Sequence, residues 1–493
     1  MSVKFEDVLK FMRAKDESVK ACVKFQDNFY VQINDVISDS RDVKPGTLFA
    51  CIKGEKSDGH EFVRTAEENG ASALLCEREV DSDLPQIIVE HVRDFLGDVA
   101  SFVYDNPSSK LLMVGITGTN GKTTTTYITR RILQSAGMRV GLLGTIIESD
   151  GIIEKEADRT TPESCIVQRQ LHNMVKNGCS ACVMETSSHG LYLGRLKGAL
   201  YDVPVFTNLY PEHLDFHLNM ENYFEAKKLL FTNYTKKNFI GAVNHDDPYG
   251  RRLLAEFPDN LRGFGMNEGA SSRVVESKTS LNGTELVIEM KGFDSQLKLH
   301  TPLVGGFNIM NTLCAVTAMR GRVDDRAIIE GVASVPQVPG RLERIDLPNG
   351  ACVFVDFAHT PSALRSVLGT IRKLSGNERR IISMFGHGGG RYQQNRPELG
   401  KAASEFANEI IITSDNARDE DPALIAEAIA SGASIPYKII TDRPEAVKIG
   451  LDELKKGDIL VITGKGPERF ITIKDRKIPF NDAEAVKAWR DSR

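Results

Sequence analysis

Between Val114 and Thr125 the chain reads Val-Gly-Ile-Thr-Gly-Thr-Asn-Gly-Lys-Thr-Thr-Thr: an apolar run, a glycine turn and the start of a helical pattern. Glycines in such a turn let backbone N–H groups close around phosphate oxygens, Lys122 supplies a point charge, and the Thr123 hydroxyl can ligate Mg²⁺. The spacing Gly118-x-x-Gly121-Lys122-Thr123 has two residues fewer between its glycines than the common P-loop. The bland alternative is a glycine-containing turn with an exposed lysine. The Leu111–Ile116 run before it and the helical pattern after Lys122 supply the context a phosphate loop requires.

A second candidate is Glu185, at the end of the apolar run Ala181–Glu185 and followed by Thr186-Ser187-Ser188-His189-Gly190. A carboxylate placed after a phosphate loop can hold Mg²⁺ directly or through water; elsewhere such a residue is often only a cap. His213 and His217, in Glu212-His213-Leu214-Asp215-Phe216-His217, stand at helical i, i+4 spacing. Zinc is disfavoured, because no glutamate base lies between them and no third soft ligand is evident. Polar contacts, or a hard-metal role for His213, fit better. Cys179-x-x-Cys182 has the spacing of a redox pair, but it runs into a strand-like segment and reads as structural.

These groups need a frame. A chain of 493 residues exceeds one compact core. A net charge of −5 with scattered basic residues gives no footprint for a nucleic-acid backbone. The N-terminus has no apolar signal core and no apolar run reaches bilayer-spanning length, so a cytoplasmic chain acting on small molecules, and not at a membrane, is expected. Eight cysteines are too sparse for a disulfide framework. Short strands and helices alternate throughout, which predicts an α/β fold. Polar, proline-containing stretches at 104–110 and 336–340 divide it into segments 1–110, 111–338 and 339–493: a small α/β domain, a mostly parallel sheet extended by antiparallel strands within 263–300, and a Rossmann-like unit. In the last, runs ending near Asp356, Phe385, Ser414 and Thr463 are each followed by a polar cluster, as expected for a site at the carboxyl edge of a sheet.

The P-loop Gly118–Thr124, the stretch 184–191 around Glu185, Phe206-Thr207-Asn208-Leu209, His213–His217, Phe307-Asn308-Ile309-Met310-Asn311 and Asp356-Phe357-Ala358-His359-Thr360-Pro361 together resemble, in order and spacing, the Mur ligases. The resemblance runs from about 39 to about 480 and is strongest toward members that add the third residue of the peptidoglycan stem peptide. It implies ATP-dependent amide formation: the free carboxylate of UDP-MurNAc-L-Ala-D-Glu takes the γ-phosphoryl group of ATP, and an amine then displaces phosphate. Phosphorylation is needed because a carboxylate is a poor electrophile.

By this resemblance Gly118, Thr119, Asn120, Gly121, Lys122, Thr123 and Thr124, with Asn308, Arg341, Asp356 and His359, bind ATP between the central and C-terminal segments. Thr123 and Glu185 hold one Mg²⁺, and His213 helps hold a second. Lys227 matches a lysine carried as a carbamate (N6-carboxylysine), although by residue type Lys227-Lys228 reads as a solvated helix face. Ser40 and Arg41 match a uridine-nucleotide region, and Thr160, Thr161, Ser187 and Arg195 match residues that hold the muramoyl-dipeptide. Gly54 and His60 lie in the same N-terminal loop region without an assigned role. Leu193 replaces a polar residue of some relatives.

The implied amino-acid site comprises Arg391, Asp415, Asn416, Arg418, Gly464 and Glu468. Meso-diaminopimelate differs from L-lysine by a distal carboxylate, which a guanidinium reads well. Asp415-Asn416-Ala417-Arg418 resembles the Asp-Asn-Pro-Arg motif of diaminopimelate-adding members, and Glu468 the carboxylate that engages the distal ammonium. Ala417, Pro467 and Gly390 depart from the family's proline, histidine and aspartate. L-lysine or another diamino acid such as lanthionine is the alternative. A folylpolyglutamate-synthetase-like ligase has no use for Ser40-Arg41, and a non-catalytic nucleotide-binding regulator would not need the intact polar set. A monomer is expected.

Overall fold

The computed structural model describes residues 2–54 and 57–493, which divide into two compact units. The first unit takes residues 1–274, 288–296 and 311–331; the second takes 275–287, 297–310 and 332–493.

The first unit opens with a five-stranded sheet built from β1 (Lys20–Cys22), β2 (Asp35–Ile37), β3 (Thr47–Ala50), β4 (Ala71–Cys76) and β5 (Gln86–Ile88), ordered β1-β5-β4-β3-β2. All but β1 run parallel. Alternate residues serve opposite faces: Leu48, Ala50, Ala73 and Leu75 pack with helices α1 (Phe5–Lys15) and α2 (Val92–Val103), whereas Phe49, Cys51, Leu74 and Cys76 pack with Val63 and Ala66. Burial on both faces is why these strands read as continuous apolar runs.

The larger sheet of this unit contains β6 (Leu112–Thr117), β7 (Val140–Leu143), β8 (Ile147–Ser149), β9 (Glu154–Glu156), β10 (Ala181–Glu185), β11 (Val203–Phe206), β12 (Gly241–Asn244) and β13 (Leu261–Gly265), followed by the hairpin β14 (Ser272–Ser280) and β15 (Gly283–Met290), whose residues 275–287 are counted with the second unit. The order is β9-β8-β7-β10-β6-β11-β12-β13-β14-β15. From β7 to β14 neighbours are parallel, so the antiparallel extension begins one strand later than the β-rich stretch suggests, at the two-residue turn after β14. Strand β6 is central, and the chain visits β7 and β10 on one side before crossing to β11 on the other. Ligands in such sheets sit at the carboxyl ends where the winding reverses. There stand α3 (Lys122–Ser135), α4 (Ser164–Lys176), α5 (Ser188–Tyr192), α6 (Leu214–His217) and α7 (Met220–Thr232).

The second unit contains β16 (Leu297–Thr301), the start of α8 (Gly306–Met319), and a six-stranded sheet of β17 (Glu343–Asp346), β18 (Cys352–Asp356), β19 (Ile381–Phe385), β20 (Glu409–Ile412), β21 (Tyr437–Ile439) and β22 (Ile459–Thr463), ordered β17-β18-β22-β19-β20-β21. Only β17 is antiparallel. Its two faces carry separate cores, with Phe354, Ile381, Ile410 and Val461 on one and Val353, Ile382, Ile411 and Leu460 on the other. A short hairpin, β23 (Phe470–Ile473) and β24 (Arg476–Pro479), follows β22. No helix among the described residues is long and apolar enough to cross a membrane.

Candidate active site

The loop after β6 is shaped by two glycines in the left-handed half of backbone space, Gly118 (φ +144°) and Gly121 (φ +84°). A Cβ on Gly118 would meet Thr207 Oγ1 at 1.9 Å, and one on Gly121 would meet Asn311 Oδ1 at 2.3 Å, so neither position has room for a side chain. The residues after β11 hold the loop: the Thr119 N–H donates to Asn208 O (2.9 Å) and the Asn120 N–H to Asn208 Oδ1 (2.9 Å). Thr207 Oγ1 and Asn208 Nδ2 donate to Asn120 O at 2.6 and 3.1 Å. Lys122 folds back over the loop and donates to Gly118 O (3.0 Å) and Thr119 O (2.9 Å). Thr123 and Thr124 are buried in the first turn of α3, whose N-terminus favours negative charge.

Thr123 Oγ1 donates to Glu185 Oε2 at 3.0 Å, which brings the first two candidate metal ligands together. Glu185 is buried, and its other donors come from Thr145, through N–H to Oε1 (2.9 Å) and Oγ1 to Oε2 (2.9 Å). Thr145 Oγ1 also lies 3.1 Å from Thr160 Oγ1. Thr161 Oγ1 donates to Glu185 O (3.2 Å) and accepts from the Ser187 N–H and Ser187 Oγ, each at 3.0 Å. Ser187 caps α5, and Arg195 joins through Thr161 O (3.4 Å) and an ion pair with Glu163 (3.1 Å). A continuous polar network thus links the P-loop to all four predicted dipeptide-binding residues of this unit that follow β9.

Lys227 corrects the reading by residue type: its side chain is 1% exposed, not solvated. Its Nζ donates to Gly118 O at 2.8 Å and lies 4.5 Å from the Tyr223 ring centroid. Burial, and then the nearby Lys122 charge, push its pKa well below the ordinary lysine value. The histidine spacing is also corrected. His213 lies outside the four-residue helix α6, at its N-cap with φ +55°, so the pair is not displayed on a helix face. His213 is exposed, with its ring 4.8 Å from that of His189, whereas His217 is buried, hydrogen-bonds Ser188 Oγ (3.0 Å) and is pushed down to about 4, chiefly by burial. No hydrogen bond joins His213 to Thr123 or Glu185.

Ser40 is buried in a 3₁₀ turn after β2 and its carbonyl accepts from Asn69 Nδ2 (2.9 Å); Arg41 is exposed and forks onto Asp39. Neither touches the network above. In the second unit, Asn308 Nδ2 donates to Val304 O (2.8 Å). Asp356 ends β18, accepts from the Leu342 N–H (2.7 Å) and Ala358 N–H (2.8 Å), and is raised in pKa by burial against the opposing pull of Arg341. Arg341 stacks over Phe357 (5.3 Å), and His359 Nδ1 hydrogen-bonds Phe357 O (3.0 Å). These three therefore share one loop pair.

At the carboxyl ends of β20 and β22 the structure assembles most of the predicted amino-acid residues. Asn416 Nδ2 donates to Glu468 Oε2 (2.9 Å), and the Gly464 position (φ +106°) is crowded by Asp415 Oδ2. Arg418, at φ +51°, donates to Gly389 O and pairs through its backbone with Thr472 and Lys474 of the β23 hairpin. Arg391 is exposed beside Gly388. Lys465, fully buried, ties the cluster together through Glu468 (2.8 Å), Asn416 Oδ1 (3.2 Å) and Phe470 O (2.6 Å). Beneath it, the fully buried Arg443, at the start of α9 (Arg443–Asp452), donates to both Asp482 oxygens (2.8 Å each), to Ser414 O and to Thr463 O (3.0 Å each). It clamps the residues that precede Asp415 and Gly464.

Three family models match this chain in order: "Mur ligase family, catalytic domain" over 32–104, "Mur ligase middle domain" over 116–319 and "Mur ligase, glutamate ligase domain" over 340–466. A relative from Aquifex aeolicus (strain VF5), named UDP-N-acetylmuramoyl-L-alanyl-D-glutamate--2,6-diaminopimelate ligase, is 40% identical over 95% of this chain and 96% of its own. The chain belongs to the Mur ligase family. A Bacillus licheniformis protein of the same name is 38% identical, covering 92% of this Mur ligase and 94% of that relative. A solved structure with that title is 28% identical, covers 100% of this chain and 99% of its own, and superposes with a TM-score of 0.72.

Several residues of these networks carried no motif of their own. Thr145 follows β7, so the rule that sites gather at carboxyl ends of strands would have pointed to it. The same rule points to His387 after β19, a buried ring whose Nδ1 has no hydrogen-bond partner among the described residues. Arg443 gave no signal: a cation at a helix start runs against the dipole, and only the fold supplies Asp482.

Proposed function

We propose that this Mur ligase joins meso-diaminopimelate to the D-Glu γ-carboxylate of UDP-MurNAc-L-Ala-D-Glu, using ATP, in cytoplasmic peptidoglycan precursor synthesis and as a monomer. The relatives' names supply the reaction. The observation that carries it in this chain is the unbroken network from Thr123 through Glu185 to Thr161, Ser187 and Arg195, which puts phosphate-binding and carboxylate-binding groups on one strand edge.

In this reading the P-loop N–H groups and Lys122 take the phosphate oxygens of ATP, with Lys122 exchanging its two carbonyl contacts for them. The Thr123 hydroxyl and Glu185 carboxylate are hard oxygen donors, adjacent and suited to Mg²⁺, and His213 is assigned to a second ion. When bound, Mg²⁺ supplies positive charge against the phosphate oxygens. Thr160, Thr161, Ser187 and Arg195 orient the dipeptide so that its carboxylate attacks the γ-phosphorus; the P–O bond to ADP breaks and an acyl phosphate forms. Segment 1–110, with Ser40 and Arg41, takes the UDP-sugar. Asn308, Arg341, Asp356 and His359 are assigned to the nucleotide. Glu468, with Asp415, Asn416 and Gly464 around it, takes the distal ammonium of the diamino acid, while Arg391 and Arg418 pair with its distal carboxylate. The amine attacks the acyl carbon, phosphate leaves, and the amide remains. Lys227 is assigned as the carbamate: a buried neutral amine is the form that adds CO₂, giving an anion beside Lys122.

The purified chain should release phosphate from ATP and Mg²⁺ only when UDP-MurNAc-L-Ala-D-Glu and an amine are both present. Mass spectrometry should show a diaminopimelate-containing tripeptide. Product with L-lysine alone would keep the ligase and overturn the amino-acid assignment. No product with either, or ATP turnover independent of the dipeptide, would overturn the reading itself.

A further inference from the structure

Two buried thiols and an imidazole, none of them given a role above, converge at the carboxyl edge of the N-terminal sheet. Cys51 directly follows β3 and Cys76 ends the neighbouring β4, so both point to the same face of the sheet. Their Sγ atoms are 3.6 Å apart. A ring nitrogen of the buried His60 completes a group whose ligand atoms all lie within 4.8 Å of one another. We propose that Cys51, His60 and Cys76 form a site for one thiophilic divalent cation, with Zn²⁺ as the ion whose preferences match.

The chemistry of the donors supports this. Two thiolates bound to zinc at about 2.3 Å with tetrahedral angles lie about 3.8 Å apart, near the separation present here. Asp58 Oδ1 lies 2.6 Å from His60 Nδ1, and His60 Nε2 accepts the Glu77 N–H at 3.0 Å. The carboxylate therefore fixes the tautomer with Nδ1–H, and the Nε2 lone pair, now engaged by the Glu77 N–H, is the one a metal would take in exchange for that hydrogen bond. A carboxylate behind a histidine is the usual support of a zinc-binding imidazole. Three protein ligands leave the fourth tetrahedral position to water.

On binding, two S–H bonds break, two S–Zn bonds form, the Glu77 N–H gives up His60 Nε2 so that the imidazole donates its lone pair to the cation, and two protons leave to solvent; nothing is oxidised or reduced. Because two protons leave, cation affinity should rise with pH. The ion would tie His60 to the ends of β3 and β4, on the same sheet edge as the turn that carries Ser40.

The test is titration of the full chain, reduced and stripped of metal, with Co²⁺ and then Zn²⁺. One equivalent of Co²⁺ should give a near-ultraviolet thiolate charge-transfer band that Zn²⁺ abolishes. Cys76→Ala should lose the band, His60→Gln should weaken binding at least tenfold, and Cys182→Ala should keep both. Each variant is compared with its own metal-free form. Zinc-edge X-ray absorption on the unaltered chain, which needs no variant, should show two sulfur neighbours. Absence of the band, its survival in Cys76→Ala, a zinc shell of nitrogen and oxygen only, or a Cys51–Cys76 disulfide that forms equally with and without zinc would each overturn the proposal.

Discussion

Lys227 shows how a single buried amine can be prepared for chemistry and leave a thermodynamic trace. Its pKa is depressed in the folded chain by burial and by Lys122, while the unfolded chain keeps the ordinary value near 10.5. Below the folded pKa both states are protonated and folding bears the full cost of a buried ammonium. As pH rises from the folded pKa toward 10.5, the unfolded state binds more protons, and stability rises. Lys227→Met should remove this dependence, so denaturant unfolding of the two proteins should show the unaltered chain gaining on the variant as pH rises toward 10.5; parallel curves would refute the depressed pKa. A second expectation concerns Thr145, which donates twice to Glu185. Thr145→Val should raise the Mg²⁺ concentration needed for half-maximal phosphate release by about 10–100-fold, the usual cost of losing a ligand's supporting hydrogen bond. A third concerns Arg418. Arg418→Gln should lower kcat/KM for diaminopimelate by about 10²-fold or more relative to L-lysine, because a carboxylate left without its partner in a closed pocket is strongly disfavoured; an unchanged ratio would remove Arg418 from the pocket. At this scale the sequence disclosed the residues that sit in motifs. Thr145 and Arg443 act through partners 40 and 20 to 39 positions away, and only the fold makes them neighbours.

Elements place these groups through a few unforgiving contacts. Gly118 and Gly137 both have positive φ, +144° and +81°, but a Cβ at Gly118 collides with Thr207 whereas nothing lies within 4 Å of one at Gly137. Alanine at Gly137 should cost only the left-handed backbone penalty, about 1 kcal/mol. Alanine at Gly118 should add strain of about 1–3 kcal/mol and abolish nucleotide-dependent phosphate release, because β11 must shift and the loop with it. Chemical denaturation of the two variants separates the effects; equal losses would mean the Thr207 contact is slack. The Arg443–Asp482 pair is a sharper case. Arg443→Leu leaves a fully buried carboxylate and should cost about 3–5 kcal/mol, while Arg443→Leu with Asp482→Leu should recover much of it. The double variant should still bind diaminopimelate poorly, since Ser414 and Thr463 lose the clamp that positions Asp415 and Gly464. Strands β6, β10, β11, β18, β19, β20 and β22 were legible because a parallel strand buried on both faces is an uninterrupted apolar run between turn residues. The partly exposed β17 and the wholly exposed β21 were not, because their incomplete burial leaves no continuous apolar run.

At the scale of the whole chain, composition marked polar joints near 104–110 and 336–340, and the structure turns there into a 3₁₀ turn and a loop ahead of β17. What composition could not mark is that residues 275–287 and 297–310, inside the central stretch, belong with the second unit. A hairpin has no polar joint at its middle, so only tertiary contacts assign its tip. Two compact units in one chain predict unfolding that is not two-state. The P-loop lies in the first unit, whereas Asn308, Arg341, Asp356 and His359, also assigned to the nucleotide, and the Arg418–Lys465 cluster lie in the second, so the nucleotide should act on both transitions and diaminopimelate on one. In scanning calorimetry, Mg²⁺–ADP at 100 times its Kd should stabilise the chain by the equivalent of about 2.7 kcal/mol, and diaminopimelate should raise the second unit's transition alone. Lys122→Ala should abolish the nucleotide shift and leave that of diaminopimelate; Lys465→Met should do the reverse. A shift of both transitions by diaminopimelate in the Lys465→Met protein would show that the amino acid is held outside the cluster, and would return the search to the other carboxyl-edge loops of the second sheet.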